Sequence, residues 1–190
     1  VSATHQDPFV RSHPVATDRL AQLRERVAGS AYAATKDPPQ LQLRHDMMRA
    51  KISGYLERTQ TVLNRYPVSD NSLPARYARA IARNCSGKCT EAMGEVDALI
   101  REKPDNAYFW EIRGNLLLWT GKYREAMPHL RKALQLAGGA EPLIQTALAQ
   151  SLLSTEDPAL LDEAIGLLRR AIVTDGNYSV SHHQLAKAFY

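Results

Sequence analysis

An all-α solenoid of stacked helical hairpins is the fold this sequence predicts. Three observations predict it. Apolar residues recur at helical spacing from Gln40 onward, no stretch alternates apolar and polar residues as a strand would, and several residue pairs recur 34 positions apart.

The elements follow in order along the chain. The first fourteen residues carry two prolines and little periodicity. Thr17 or Asp18 is then expected to cap a helix whose apolar residues Leu20, Leu23 and Val27 share a face, with Gly29 as its stop. Residues 35–39, Thr-Lys-Asp-Pro-Pro, read as a linker, because two prolines do not fit inside a helix. Beyond it, helices are expected near 40–56, 59–66, 73–85, 89–102, 107–119, 123–136, 142–154, 160–173 and 179–190.

The composition bounds the function classes. The chain has 190 residues, 44% of them hydrophobic and 23% charged, which suits one or two globular domains with a buried core. A net charge of +4 is mild, and its basic residues alternate with acids along helices, so no nucleic-acid patch is expected. Apolar runs such as Asn115 to Trp119 are too short to cross a bilayer. The chain opens at Val1 without initiator Met or signal peptide, a start that reads as a processed or excised piece of a longer protein. No cofactor is expected in it. Two cysteines make neither a disulfide framework nor a four-cysteine zinc site.

The internal repeat decides the fold. Gly87-Lys88 recurs as Gly121-Lys122, Glu91-Ala92 as Glu125-Ala126, and Arg79 as Arg113. A period of 34 belongs to tetratricopeptide (TPR) repeats, right-handed superhelices of helix pairs. In the unit 107–141, Trp110 reads as the large anchor of the first helix and Gly114 as the small residue where two helices touch. Gly121 makes the turn, and Ala126, Leu130 and Ala133 pack the second helix. The unit 142–178 repeats this with Leu148-Ala149, Ala164, Leu168 and Ala171, carrying extra residues around Asp157-Pro158. The unit 73–106 keeps Ala80, Gly87, Ala92 and Pro104, and a partial unit opens at Ser179. About three and a half repeats therefore occupy 73–190, behind an atypical hairpin at 40–72 and an N-terminal segment at 1–39.

In such stacks the first helices line an inner curve, with Ala80, Gly114 and Ala149 turned to the interior. The residues then expected to face a protein or peptide partner are Tyr77, Asn84, Tyr108, Glu111, Asn115 and Trp119. Arg79 and Arg113, at equivalent positions, are expected to pair within the scaffold with acids such as Asp97 or Glu125, or else to meet the ligand. His182-His183 read as surface histidines, since neighbours on a helix point about 100° apart. Leu185, Ala186 and Phe189 present an apolar face, so either further repeats follow Tyr190 or this face is covered by self-association.

Nearly the whole chain also resembles one family's tail. The stretches are Ser12-His13-Pro14 with Arg19-Leu20, then residues 47–51, Met-Met-Arg-Ala-Lys, then Tyr66-Pro67 through Ala80. They look like the bacterial BepA-like zinc metallopeptidases, which carry a TPR tail behind an HExxH catalytic domain. The resemblance implies a periplasmic location, zinc in the parent protein, and a tail that recruits substrates or partners. It places His13 near the metal of the intact protein. None of His5, His13, His45, His129, His182 or His183 is followed by Glu, so the HExxH motif itself is not in this chain and no catalysis is expected of it. Cys85 and Cys89 flank a short turn, and a periplasmic setting would permit a bridge between them; two small buried thiols are the alternative. Two further readings stand beside the protease tail: a free-standing TPR adaptor, and a fragment completing a peptidase site from upstream.

Overall fold

The computed structural model describes residues 16–189, with the side chains of Ala16 and Cys85 outside that description. Among the described residues there are ten α-helices and no strand. The chain divides into two compact units between Gln42 and Leu43.

In the first unit, α1 (Ala16–Ala28) already includes Thr17 and Asp18, which therefore lie in its first turn rather than capping it. Asp18 there complements the positive helix N-terminus. Leu20, Leu23 and Val27 are exposed. The helix closes where the Gly29 amide bonds the Glu25 carbonyl at 3.0 Å. The carbonyl of Pro38 then accepts the amides of Leu41 and Gln42 and so starts α2 (Pro39–Leu56). Pro39 takes the first helical position, where its missing N–H costs nothing.

The second unit stacks α3 (Thr59–Arg65), α4 (Leu73–Cys85), α5 (Cys89–Glu102), α6 (Ala107–Trp119), α7 (Tyr123–Leu136), α8 (Pro142–Leu153), α9 (Leu161–Thr174) and α10 (Ser179–Lys187). Its helix starts are written in the sequence. Ser72 accepts the Ala75 amide at the head of α4, and Asn106 accepts the Tyr108 amide at the head of α6. Both hairpin turns use a glycine with positive φ, Gly87 at 79° and Gly121 at 76°. Each lets the following amide reach back five residues, Lys88 to Arg83 and Lys122 to Leu117, both at 2.9 Å. The α8–α9 connection is longer, contains a 3-10 turn (Pro158–Leu160), and holds Glu156 at φ 55°, a conformation a non-glycine residue adopts only at a cost.

Packing follows from small residues at the helix contacts. A Cβ on Gly114 would stand 2.5 Å from Leu130 Cγ, so α6 and α7 approach as closely as they do because that position has no side chain. Gly54 does the same for α2 against Ile81 of α4, at 2.7 Å. Ala80, Ala126, Ala133, Ala149, Ala164 and Ala171 are fully buried. One core cluster gathers Val62, Tyr77, Ile81, Val96, Leu99, Phe109, Ile112 and Leu116; a second gathers Leu117, Leu118, Leu130, Leu148, Leu152 and Leu168. The two meet across α6, which is apolar nearly all round because helices cover it on opposite sides.

Trp110 does not fill the buried anchor role expected of it. Phe109 is the fully buried ring, edge-on to Tyr77 with centroids 5.4 Å apart. Trp110 is half-buried, stacks on His129 of α7, and donates its Nε1–H to the Pro104 carbonyl at 2.8 Å. The same tie recurs. Gln145 Nε2 donates to the Gly139 carbonyl at 2.9 Å, and His182 Nε2 lies 3.0 Å from the Gly176 carbonyl. In all three units the fourth residue reaches the carbonyl six positions back and fastens the incoming loop to its helix.

Candidate partner-binding face

The first helices of successive pairs bring side chains from distant stretches of sequence onto one face. Lys51 of α2 donates its Nζ–H to Glu111 Oε2 of α6 at 2.7 Å and sits 4.4 Å from the centroid of the Tyr108 ring. Burial pushes the Glu111 carboxyl above its ordinary value; the Lys51 charge opposes that, and Glu141 at the head of α8 adds to it. The Tyr108 phenol is likewise raised by burial, then by Glu141 and Glu111, with Arg44 opposing. Tyr178, at the head of α10, is raised by burial and by the same Glu111 charge. Groups from α2, α6 and the heads of α8 and α10 thus share one electrostatic environment.

The residues expected to face a partner divide in two. Tyr108 is 44% exposed and Trp119 51% exposed, so both offer aromatic surface. Tyr77, Asn84, Glu111 and Asn115 are buried, contrary to the expectation that they point to solvent. The reason is lateral packing: Tyr77 is covered by Phe109 of the next unit, and its hydroxyl, without a partner, titrates well above the ordinary phenol range through burial first and Glu111 next. Asn84 turns its Oδ1 toward the Cys89 thiol at 3.9 Å. Lys51, Glu141 and Tyr178 were not legible as members of this face. Lys51 lies before the repeats begin, and the other two sit in inter-helix loops that no periodicity marks.

Both arginines are engaged within the scaffold. Arg79, only 3% exposed, gives Nε and Nη2 to Glu95 Oε1 at 3.1 and 2.7 Å. Its Nη1 donates to the carbonyls of Pro67 and Asp70, each at 2.8 Å, locking the α3–α4 loop onto α4 and α5. Arg83 takes the other Glu95 oxygen at 2.7 Å. Arg113 reaches Asp97 Oδ1 at 2.7 Å, while Glu125 pairs with Lys122.

Of the pair considered for a bridge, Cys85 has its side chain outside the described residues, and Cys89 is a free, half-buried thiol facing Asn84. His13 also lies outside them. Among the described residues no three His, Cys, Asp or Glu side chains are grouped to hold a metal, and no helix is long and apolar enough to cross a membrane.

No protein-family model matches the chain. It is 26% identical, in a 186-residue alignment that covers 93% of its length, to the β-barrel assembly-enhancing protease of Escherichia coli K12, and equally to that of Shigella flexneri. It spans 36% of the length of those relatives. Among solved structures, MamA of Desulfovibrio magneticus RS-1 matches with TM-score 0.57 at 20% identity, covering 82% of this chain and 85% of that one. YrrB, described as a TPR protein with an unusual peptide-binding site, matches with TM-score 0.56 at 16% identity, covering 76% and 74%. The chain's 34-residue repeat geometry and its likeness to solved TPR structures give it the tetratricopeptide-repeat fold, and its sequence is similar to part of the β-barrel assembly-enhancing proteases.

Proposed function

We propose that the chain is a protein-interaction scaffold, the partner-recruiting region of a bacterial envelope metalloprotease, which receives a polypeptide on the face where α2, α6, α8 and α10 converge. The observation that carries this is the Tyr108–Lys51–Glu111 cluster. An exposed phenol ring is held in place by a cation that is itself anchored on a buried carboxylate, so the ring is presented without freedom to lose on binding. Rigid tyrosine and tryptophan surface beside charged groups is the composition of binding hot spots. The peptide-binding site described for YrrB, which shares the fold, supports a peptide-like guest.

The protease likeness supports a setting in which the protein is periplasmic and the rest of it carries zinc and the catalytic groups. The relatives' name points to partners in β-barrel assembly. The chain's own contribution is recognition, with residues 1–39 adjoining the peptidase domain, 40–72 an adapting hairpin and 73–190 the repeats. The test is photo-cross-linking in the whole protein, with a benzophenone residue at Tyr108 or at Leu143, its exposed counterpart as second residue of the next unit on α8, and a control at Arg101 on α5. Capture from the first two sites and not from the third supports the reading. Equal capture from all three sinks it.

A further inference from the structure

We infer that the side of α2 turned away from α4 is a docking surface for an acidic amphipathic helix of a partner polypeptide. It does not rest on the function proposed for the Tyr108 face. α2 carries two apolar stripes. One, built of small residues at Ala50 and Gly54, is buried, with Gly54 set against Ile81 of α4. The other runs through Leu41, Met48, Ile52 and Leu56, which stand roughly 160–240° around the helix from Ala50. These four are 50, 55, 52 and 80% exposed. A helix with apolar residues on opposite sides is built to be covered on both, as α6 is. On α2 only the first stripe is covered among the described residues.

The spacing of the exposed stripe and the charges at its edges identify the occupant. From Leu41 to Leu56 the stripe is roughly 22 Å long, room for about four turns of a partner helix packed ridge into groove. Arg44 borders it on one side and Arg49 on the other, and Arg58 follows its end; all three are exposed. Among the described residues Arg44 and Arg58 have no ion-pair partner, and Arg49 has only a loose one, Asp46 at 3.9 Å. The other two charges here are committed, Lys51 to Glu111 and Glu57 to Arg65. Edges of this sign select glutamate or aspartate at the facing positions, as the e and g positions of coiled coils do. A second copy of this chain would bring arginine against arginine in either orientation. α1 has the same signature, Leu20, Leu23 and Val27 beside Arg19, Arg24 and Arg26, so it carries the charge of the surface and not of its occupant. The occupant is an acidic helix with leucine-like residues every three to four positions.

The probe is a synthetic three-heptad peptide of about 21 residues, with leucine at a and d, glutamate at e and g and alanine elsewhere. It is titrated into the 190-residue chain and followed by amide chemical shifts. Saturable shifts are expected at Met48, Ile52 and Leu56, and none with the same peptide carrying lysine at e and g. Met48→Gln with Ile52→Gln, both at the surface, should abolish binding and leave the Tm unchanged. Arg44→Glu with Arg49→Glu should weaken the glutamate peptide by about tenfold or more and let the lysine peptide bind. Tyr108→Ala should leave the affinity for the peptide as it was; a loss there would assign the peptide to the Tyr108 face and overturn this site. In the free chain, hydrogen peroxide should oxidise Met48 faster than the half-buried Met47, Met93 and Met127. Equal rates would mean that the stripe is already covered from within. Equal affinity for the two peptides, or shifts centred on another helix, would also overturn the assignment.

Discussion

Glu111 holds a charge where a charge is costly, and Lys51 is what makes that tolerable. Removing the cation while keeping the carboxyl, as in Lys51→Met, leaves a buried carboxylate unpaired and should destabilise the chain by roughly 3 kcal/mol at pH 7. The sign of the pH dependence follows from the raised carboxyl. A group raised in the folded state contributes stability below its unfolded value and loses it as pH rises through the folded one. The deficit of Lys51→Met should thus be largest at neutral pH and shrink toward pH 4; denaturant melts at both pH values measure it, and an equal deficit at each would contradict the account. Trp119 is the opposite kind of residue, half out in solvent at the end of α6 with little core to lose. Trp119→Ala should leave the Tm nearly unchanged while costing roughly 2 kcal/mol of partner affinity if it is a hot spot. A large fall in Tm with binding intact per folded molecule would mean that it serves packing instead.

At the scale of the element, glycines show how context sets the sign of one substitution. Gly114→Ala forces a methyl against Leu130 and should cost roughly 1–3 kcal/mol. Gly94, exposed in the middle of α5, meets nothing within 4 Å, and Gly94→Ala should gain roughly 0.5–1 kcal/mol from helix propensity alone. Thermal melts of the pair check both, and like signs would refute the packing argument. These elements were largely legible beforehand: the 34-residue period and Gly87 and Gly121 as turns depend on local chemistry that sequence displays, whereas the caps Ser72 and Asn106 were not singled out and the cap expected at Thr17 or Asp18 lies inside its helix. What was not legible depends on neighbours across the stack. Helical spacing marked Tyr77 and Glu111 as residues turned to the inner face, but whether that face is open or covered is decided by Phe109 and Lys51, each on another helix. The same holds for Trp110, displaced from its buried role by Phe109 beside it.

Across the second unit most helix packing joins adjacent pairs, with the Lys51–Glu111 contact reaching past one pair from α2 to α6, so stability propagates largely from one pair to the next. Arg79 is the joint between the hairpin before the repeats and the repeats themselves. Arg79→Met should open α3 and its following loop to hydrogen exchange while leaving α8 to α10 protected; uniform loss of protection would show that the stack unfolds as one. The loop ties made by Trp110, Gln145 and His182 have a different reach, each closing over six residues across the boundary between one unit and the next. A copied unit therefore brings a side chain for the tie at its head and a carbonyl for the next tie at its tail. Tandem duplication can lengthen such an array without any older part having to evolve a new partner, and the residue at the tie stays free to diverge among tryptophan, glutamine and histidine.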